Sequence, residues 1–190
     1  MKKTALITLL LSLVVFSSAF AAGGAFGVNG GLAKVTGDMG EGLGMGFQAG
    51  AFGEYAINEQ GALGISVDYV KVGLEEDLPE GAEFSFSIIP ITVYSKWMPT
   101  MAGSVSPYLM GGGGLYMMSV ELTYDDVDLL DGYDTTESKP GIFIGGGVDF
   151  KVNPTVKVGA FAKFHDIFTE DEATMYFHGG ISASFGAASK

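Results

Sequence analysis

Apolar and polar residues alternate with period two along most of this chain, the mark of half-buried β-strands. In the last such segment Met175, Phe177, Gly179, Ile181, Ala183 and Phe185 fall on one face, and Tyr176, His178, Gly180, Ser182 and Ser184 on the other. The segment before it sets Val156, Val158, Ala160, Ala162 and Phe164 against Lys157, Gly159, Lys163 and His165, with Phe161 out of pattern. Ile142, Ile144, Val148, Phe150 and Val152 alternate with Gly145, Gly147, Asp149 and Lys151. Leu63, Ile65, Val67 and Tyr69 alternate with Gly64, Ser66 and Asp68; Leu43, Met45, Phe47, Ala49, Ala51 and Tyr55 alternate with Gly44, Gly46, Gln48 and Glu54. A Gly-rich first strand over about 25–35, and segments 84–98 and 107–122 that are apolar on both faces in places, complete a set of eight. In the fourth, the apolar parity slips near Pro90, which predicts a bulge there.

The connections alternate in length. Strands 2–3, 4–5 and 6–7 are joined by the turn-forming sequences Asn58-Glu59-Gln60-Gly61, 99–104 and Asn153-Pro154. The other four, 36–41, 74–83, 123–138 and 166–173, are longer and polar, and with Glu121 they hold 18 of the 22 acids. Short turns on one rim and long polar loops on the other are the layout of a transmembrane barrel. The 97–120 stretch carries no charge and is long enough for a membrane helix, but Pro99, Pro107 and Gly111–Gly114 fit two strands and a turn better.

The N-terminus supplies the compartment. Lys2 and Lys3 precede an apolar run from Ala5 to Phe16, and Ser17-Ser18-Ala19-Phe20-Ala21 places small residues at −3 and −1 for cleavage after Ala21. This is a secretory signal, so residues 1–21 are expected to be removed, leaving 22–190 as a single barrel domain. Export joined to eight amphipathic strands points to the outer membrane of a Gram-negative cell. The fold expected is all-β, an eight-stranded antiparallel up-and-down transmembrane β-barrel that starts near Ala25 and closes where strand 8 pairs with strand 1 near Phe185.

In hydrocarbon every backbone polar group must be satisfied internally, and a closed barrel does so with no edge. The apolar faces then meet lipid, so Val156, Val158, Ala160 and Phe164 point outward while Lys157 and Lys163 point into the lumen. The lumen faces carry Asn29, Gln48, Glu54, Asp68, Asp149, Lys151, Lys157 and Lys163. Both signs occur, which predicts a narrow interior plugged by paired charges. Tyr55, Tyr69, Trp97, Tyr108, Phe150, Phe164 and Phe185 lie near strand ends and are candidates for interfacial belts. Alternation alone leaves open the inverse arrangement, a soluble exported barrel with a small apolar ligand inside.

Composition narrows the function. Without residues 1–21 the chain has 8 Lys and no Arg against 22 acids, a balance of −14. Nucleic acid, which needs a basic footprint, is excluded as a partner. The absence of Cys excludes disulfides, thiol chemistry and a lipoprotein anchor. Gly44-x-Gly46-x-x-Ala49 matches a loose dinucleotide fingerprint but lies within a strand pattern with no helix after it, and Gly111–Gly114 lacks the Lys-Ser/Thr of a phosphate loop. Asp125, Asp126, Asp128 and Asp131 approach a calcium loop ending at Glu137, yet from Asp126 the Gly falls at position 7 instead of 6 and no helices flank it. These acids are a candidate for loose divalent-cation association. His178 shares a face with Ser182 and Ser184, but no acid completes a triad with them and His165 is the other histidine. No catalytic residue and no cofactor site are expected.

Several short motifs carry a family resemblance. They are Ile89-Pro90-Ile91 opening into a strand, Pro107-Tyr108 with the Gly run and Tyr116, Gly145-Gly146-Gly147-Val148-Asp149-Phe150 leading to Asn153-Pro154, and the final amphipathic strand. The chain resembles the outer membrane β-barrel domain family of OmpA/OmpX type. The resemblance implies an eight-stranded barrel with both termini in the periplasm. It also implies folding by the outer-membrane assembly machinery, which reads a last strand matched here by His178, Gly180, Ala183 and Phe185, with Gly186 to Lys190 following. The expected role is structural or surface-interacting through acidic extracellular loops, in a monomer contacting outer-membrane lipid and lipopolysaccharide. A narrow solute or ion channel is the alternative.

Overall fold

A computed structural model describes residues 24–37, 40–74, 82–99, 103–124, 127–128, 136–169 and 174–186. Eight antiparallel strands form one closed sheet: β1 (Gly24–Gly37), β2 (Met45–Ala56), β3 (Gly61–Val72), β4 (Ala82–Trp97), β5 (Val105–Tyr124), β6 (Thr136–Lys151), β7 (Val156–Ile167) and β8 (Thr174–Gly186). Each pairs with its sequence neighbours, and β8 closes on β1 with Phe26 opposite Phe185. The two residues Val127–Asp128 pair back onto Thr123 and Tyr124 at the end of β5. No helix among the described residues is long and apolar enough to cross a membrane.

The strands cross because their side chains separate cleanly. Outward positions hold Val28, Leu32, Phe47, Leu63, Ile65, Val93, Leu109, Ile144, Val158 and Ile181, all exposed. An apolar wall of this extent is unstable in water and natural in lipid. The soluble-carrier arrangement requires these residues inside, and they are outside. Val156, Val158, Ala160 and Phe164 lie on the outer face and Lys163 is buried within, as the alternation predicts. Tight turns are set locally: Asn58 Oδ1 accepts from the Gln60 amide at 2.8 Å, and Asn153 Oδ1 from the Thr155 and Val156 amides at 2.9 and 2.8 Å.

Three sequence expectations need correction. Pro90 makes no bulge: β4 keeps one register with β5 from Ala82 to Trp97, and one register with β3 on either side of a two-residue lapse at Pro90 and Ile89. Proline lacks an N–H, so the ladder is interrupted without a shift. Leu43 is not part of β2's outer face; it precedes the strand, bridges to Leu74 and is buried. Tyr108 is no belt residue, since it faces the lumen and is buried, whereas Tyr55, Tyr69, Trp97, Phe150, Phe164 and Phe185 are exposed on the wall.

Candidate functional site

The interior is where polar chemistry collects, and it has two unlike halves. Toward the short-turn rim, β4 carries Lys96 into the lumen between two acids. Its Nζ lies 3.3 Å from Glu54 Oε1 on β2 and 3.0 Å from Asp149 Oδ2 on β6. The Tyr94 hydroxyl donates to Glu54 at 3.0 Å, and the Lys96 ammonium sits 4.0 Å above the centre of the Tyr108 ring. A second set lies beside it. Lys163 Nζ is 3.7 Å from Asp68 Oδ2, Gln48 Nε2 donates to Asp68 Oδ1 at 2.7 Å and also to Asn29, and Ser66 joins Asp68 to Thr92. The small space left among these groups, lined by Asn29, Glu54, Lys96, Asp149 and Lys163, is polar on several sides and suits bound water.

Glycines on neighbouring strands let these side chains lie flat. A Cβ on Gly64 would meet the Tyr94 ring at 2.3 Å, and one on Gly147 would meet the Tyr108 hydroxyl at 2.6 Å. The inward glycines of the sequence pattern are therefore cradles for rings across the strand pair.

Toward the loop rim the lumen is filled by a largely apolar cluster. Ala33, Val35, Leu43, Val70, Val72, Phe86, Ile88, Tyr116, Met118, Ile167 and Tyr176 form one buried cluster, with Phe84 and Val120 packed on it. Between plug and charges lies an aromatic seam. Tyr116 OH is 2.9 Å from His165 Nδ1, His165 Nε2 is 3.0 Å from His178 Nε2, and His165 stacks on Tyr176 with ring centroids 4.3 Å apart. His178 Nδ1 and the Tyr176 hydroxyl are buried without a hydrogen-bond partner among the described residues.

This architecture has known counterparts. A family model described as "Outer membrane protein beta-barrel domain" matches residues 7–187. The chain belongs to that family. Among solved structures it is similar to Neisserial surface protein A, with 20% identity, TM-score 0.65, and 85% of this chain and 96% of that chain covered. It is similar to Ail, the attachment invasion locus protein of Yersinia pestis, with 13% identity, TM-score 0.52, and coverage of 86% and 99%. OprG of Pseudomonas aeruginosa follows with 15% identity, TM-score 0.51, and coverage of 86% and 97%. At these identities the likeness is one of fold. No curated protein matches the sequence. The protein is an outer membrane barrel.

Within that barrel the predicted lumen residues sort into two groups. Glu54, Asp68, Asp149 and Lys163 meet in the charged half, with Gln48 and Asn29. Lys151 and Lys157 do not: they stand opposite one another at the short-turn rim and are exposed. The base that takes their place is Lys96, which the sequence reading missed. Its signal was the parity of Thr92, Tyr94 and Lys96, which continues the lumen face of β4. His165 and His178 come together, but Ser182 and Ser184 line the space beside Lys96 and Lys163. No hydrogen bond joins either serine to a histidine among the described residues. Asp125, Asp126 and Asp131 lie outside the described residues, and of Asp128 only the backbone pairing with Thr123 is described.

Proposed function

We propose that this protein is a closed, non-conducting barrel whose role is structural or surface-interacting, exercised through its acidic loops. The observation that carries the reading is the double closure of the lumen. Ion-paired side chains fill one half, and a tightly buried, largely apolar cluster fills the other. An ion path needs continuous polar lining, and dewetted apolar constrictions block conduction. In this reading residues 1–21 are removed on export, both termini and the short turns lie in the periplasm, and the loops face outward. The last strand, with His178, Gly180, Ala183 and Phe185, is the segment that engages the assembly machinery.

The loops hold most of the acids, so divalent cations are the natural bridge between them and the phosphates of surrounding lipopolysaccharide. Ail has been solved with the heparin analogue sucrose octasulfate. Loops as acidic as these repel a sulfated polyanion, and a cationic or cation-bridged surface partner suits them instead. Single-protein recordings in planar bilayers test the reading. The expected result is no steady conductance; a stable ohmic step in the wild-type protein would establish the channel alternative.

A further inference from the structure

We propose that the contact between His165 and His178 is an acid-sensitive latch, which holds the lumen shut near neutral pH and opens it to ions when both rings are protonated. The inference rests on the closed-lumen reading above. It starts from two imidazoles in direct contact, His165 on β7 and His178 on β8, whose Nε2 atoms lie 3.0 Å apart. Both residues are buried, at 1% and 0% exposure. Two ring nitrogens at that distance share one proton, so one Nε2 carries a hydrogen and the other a lone pair.

The neighbours decide which nitrogen is which. The Tyr116 hydroxyl lies 2.9 Å from His165 Nδ1 and 3.4 Å from the Ile142 carbonyl oxygen. When His178 Nε2 donates to His165 Nε2, His165 holds its own hydrogen on Nδ1 and donates it to the Tyr116 oxygen. Tyr116 then donates to Ile142. Every hydrogen in this chain has an acceptor, and the atom left over is His178 Nδ1, a bare acceptor without a partner among the described residues. The reverse direction would strand a buried N–H there, the rarer defect in folded proteins. A first proton therefore enters at His178 Nδ1 and leaves the contact whole. A second must take the lone pair of His165 Nε2, and the contact cannot survive it: two N–H groups then face each other and two like charges meet.

The surroundings do not offset those charges. Among the described residues, the titratable or charged groups facing the rings are Tyr116 from β5, Tyr176 from β8, Lys163 from β7 and, behind Lys163, Asp68 from β3. Lys163 brings a third positive charge: its Nζ is 5.5 Å from the centres of Phe143 and Phe161, the rings that pack on His165 and His178. Asp68 is already engaged, 3.7 Å from that Nζ. Lys34 and Asp166 have the opposite parity on β1 and β7, and β2, β4 and β6 contribute the uncharged Gln48, Ile88 and Phe143. Doubly charged rings therefore part and draw in water, and the polar space bounded by Phe161 and Lys163 borders them. Tyr116 and Tyr176 are ring neighbours of His165, with centroids 5.7 and 4.3 Å away, and members of the apolar cluster as well. Parting the histidines thus displaces the floor of the plug.

The test records the folded full chain in planar bilayers at about pH 7.5 and about pH 4.5, on either side of the ordinary histidine range and above that of most carboxylates. The wild type is expected to be silent at the higher pH and to show steady steps at the lower. H165F/H178F, whose rings cannot take a proton, should be silent at both. Unfolding in vesicles gives a second readout. The unfolded chain protonates its histidines freely, so between the two pH values the wild-type folding equilibrium constant should fall, relative to the double variant, by about a hundredfold for each histidine that the fold keeps neutral. Wild-type protein that stays silent at both pH values overturns the latch and leaves the closed-lumen reading standing. Steady conductance at the higher pH sinks that reading, and the latch with it. A double variant that opens in acid as the wild type does also overturns the latch, because the response then belongs to the carboxylates of the charged half; so does an identical pH dependence of folding in the two proteins. If the double variant fails to fold, H165F alone decides: it removes the paired charge and should stay silent in acid, and its opening like the wild type overturns the proposal.

Discussion

The two halves of the lumen close the same barrel by different physics. Near the short turns, Lys96 and Lys163 are held among Glu54, Asp68 and Asp149, each side chain nearly removed from water. Near the loops, Phe86, Ile88, Tyr116 and Met118 close the passage with apolar volume. The charged half gains little net stability from its pairs, because desolvation offsets the Coulomb attraction, but removing one partner is costly. The apolar half gains from every buried methylene and loses in proportion to any cavity. The first half therefore specifies which side chains must coexist, and the second supplies cohesion.

The largest expected effect tests the charged half. Lys96→Met leaves Glu54 and Asp149 buried without their shared base, at a cost of roughly 3–5 kcal/mol. Guanidinium unfolding of the protein in lipid vesicles measures it. If the half is a matched set, the triple variant K96M/E54Q/D149N recovers most of the loss. A triple variant as unstable as K96M alone would mean that Lys96 acts through packing on Tyr108 and not through charge.

The apolar half answers to volume. Ile88→Ala is expected to cost about 2–5 kcal/mol, the range for truncating a fully buried aliphatic side chain. Ile88→Leu, which conserves volume, should cost less than about 1.5 kcal/mol. A loss below about 0.5 kcal/mol for the alanine variant, the level of ordinary surface substitutions, would show that the plug is loosely packed and would weaken the closed-lumen reading.

The seam between the halves makes the contrast sharper, because its two tyrosines differ in one respect. Tyr116 has a partner in His165 Nδ1 at 2.9 Å, while the Tyr176 hydroxyl is buried with none among the described residues. Tyr116→Phe should cost about 1–3 kcal/mol, because it leaves the buried His165 Nδ1 without this partner. Tyr176→Phe removes an unsatisfied polar group and should be neutral or stabilising by about 1 kcal/mol. Equal destabilisation by the two would show that Tyr176 makes a hydrogen bond through water.

The contrast also explains what the sequence could and could not tell. Eight strands, their pairing and the outward faces were legible because period two persists wherever lipid lies on one side and the lumen on the other. The rule fails above the belt, where the outside meets water and the inside must close. There the faces exchange chemistry: Ser85, Ser87 and Ser119 turn outward, and Phe84, Phe86, Ile88 and Met118 turn in. The parity slip at Pro90 was this exchange, read as a bulge. Treating 84–98 as apolar on both faces also hid Lys96, whose face is fixed by Tyr94 and Thr92 in the lower half. Lys151 and Lys157 have lumen parity but lie past the end of the enclosed space, which parity cannot report.

The smallest expected effect is the energetic coupling between the halves. Lys96 and Ile88 lie on the same strand and the same face, eight residues apart. At about 3.3 Å per residue that is roughly 26 Å, well beyond direct contact. Substitutions more than about 7–10 Å apart that share no partner add to within about 0.5 kcal/mol. K96M and I88A together should therefore cost the sum of the single losses within that margin. Lys163 is the useful contrast, because its Nζ sits 5.5 Å from the centres of both the Phe143 and Phe161 rings while also pairing with Asp68. Phe143 stacks on His165 at the seam, with centroids 5.0 Å apart. A cycle of Lys163→Met with Phe143→Leu should then show coupling above about 0.5 kcal/mol, since the two side chains touch and share a neighbour. Additivity in the first cycle with coupling in the second would place the join between the halves at Lys163, Phe143 and His165. Coupling of the same size in both would mean that the lumen packs as one cooperative unit, and the division into a charged half and an apolar half would then describe composition and not energetics.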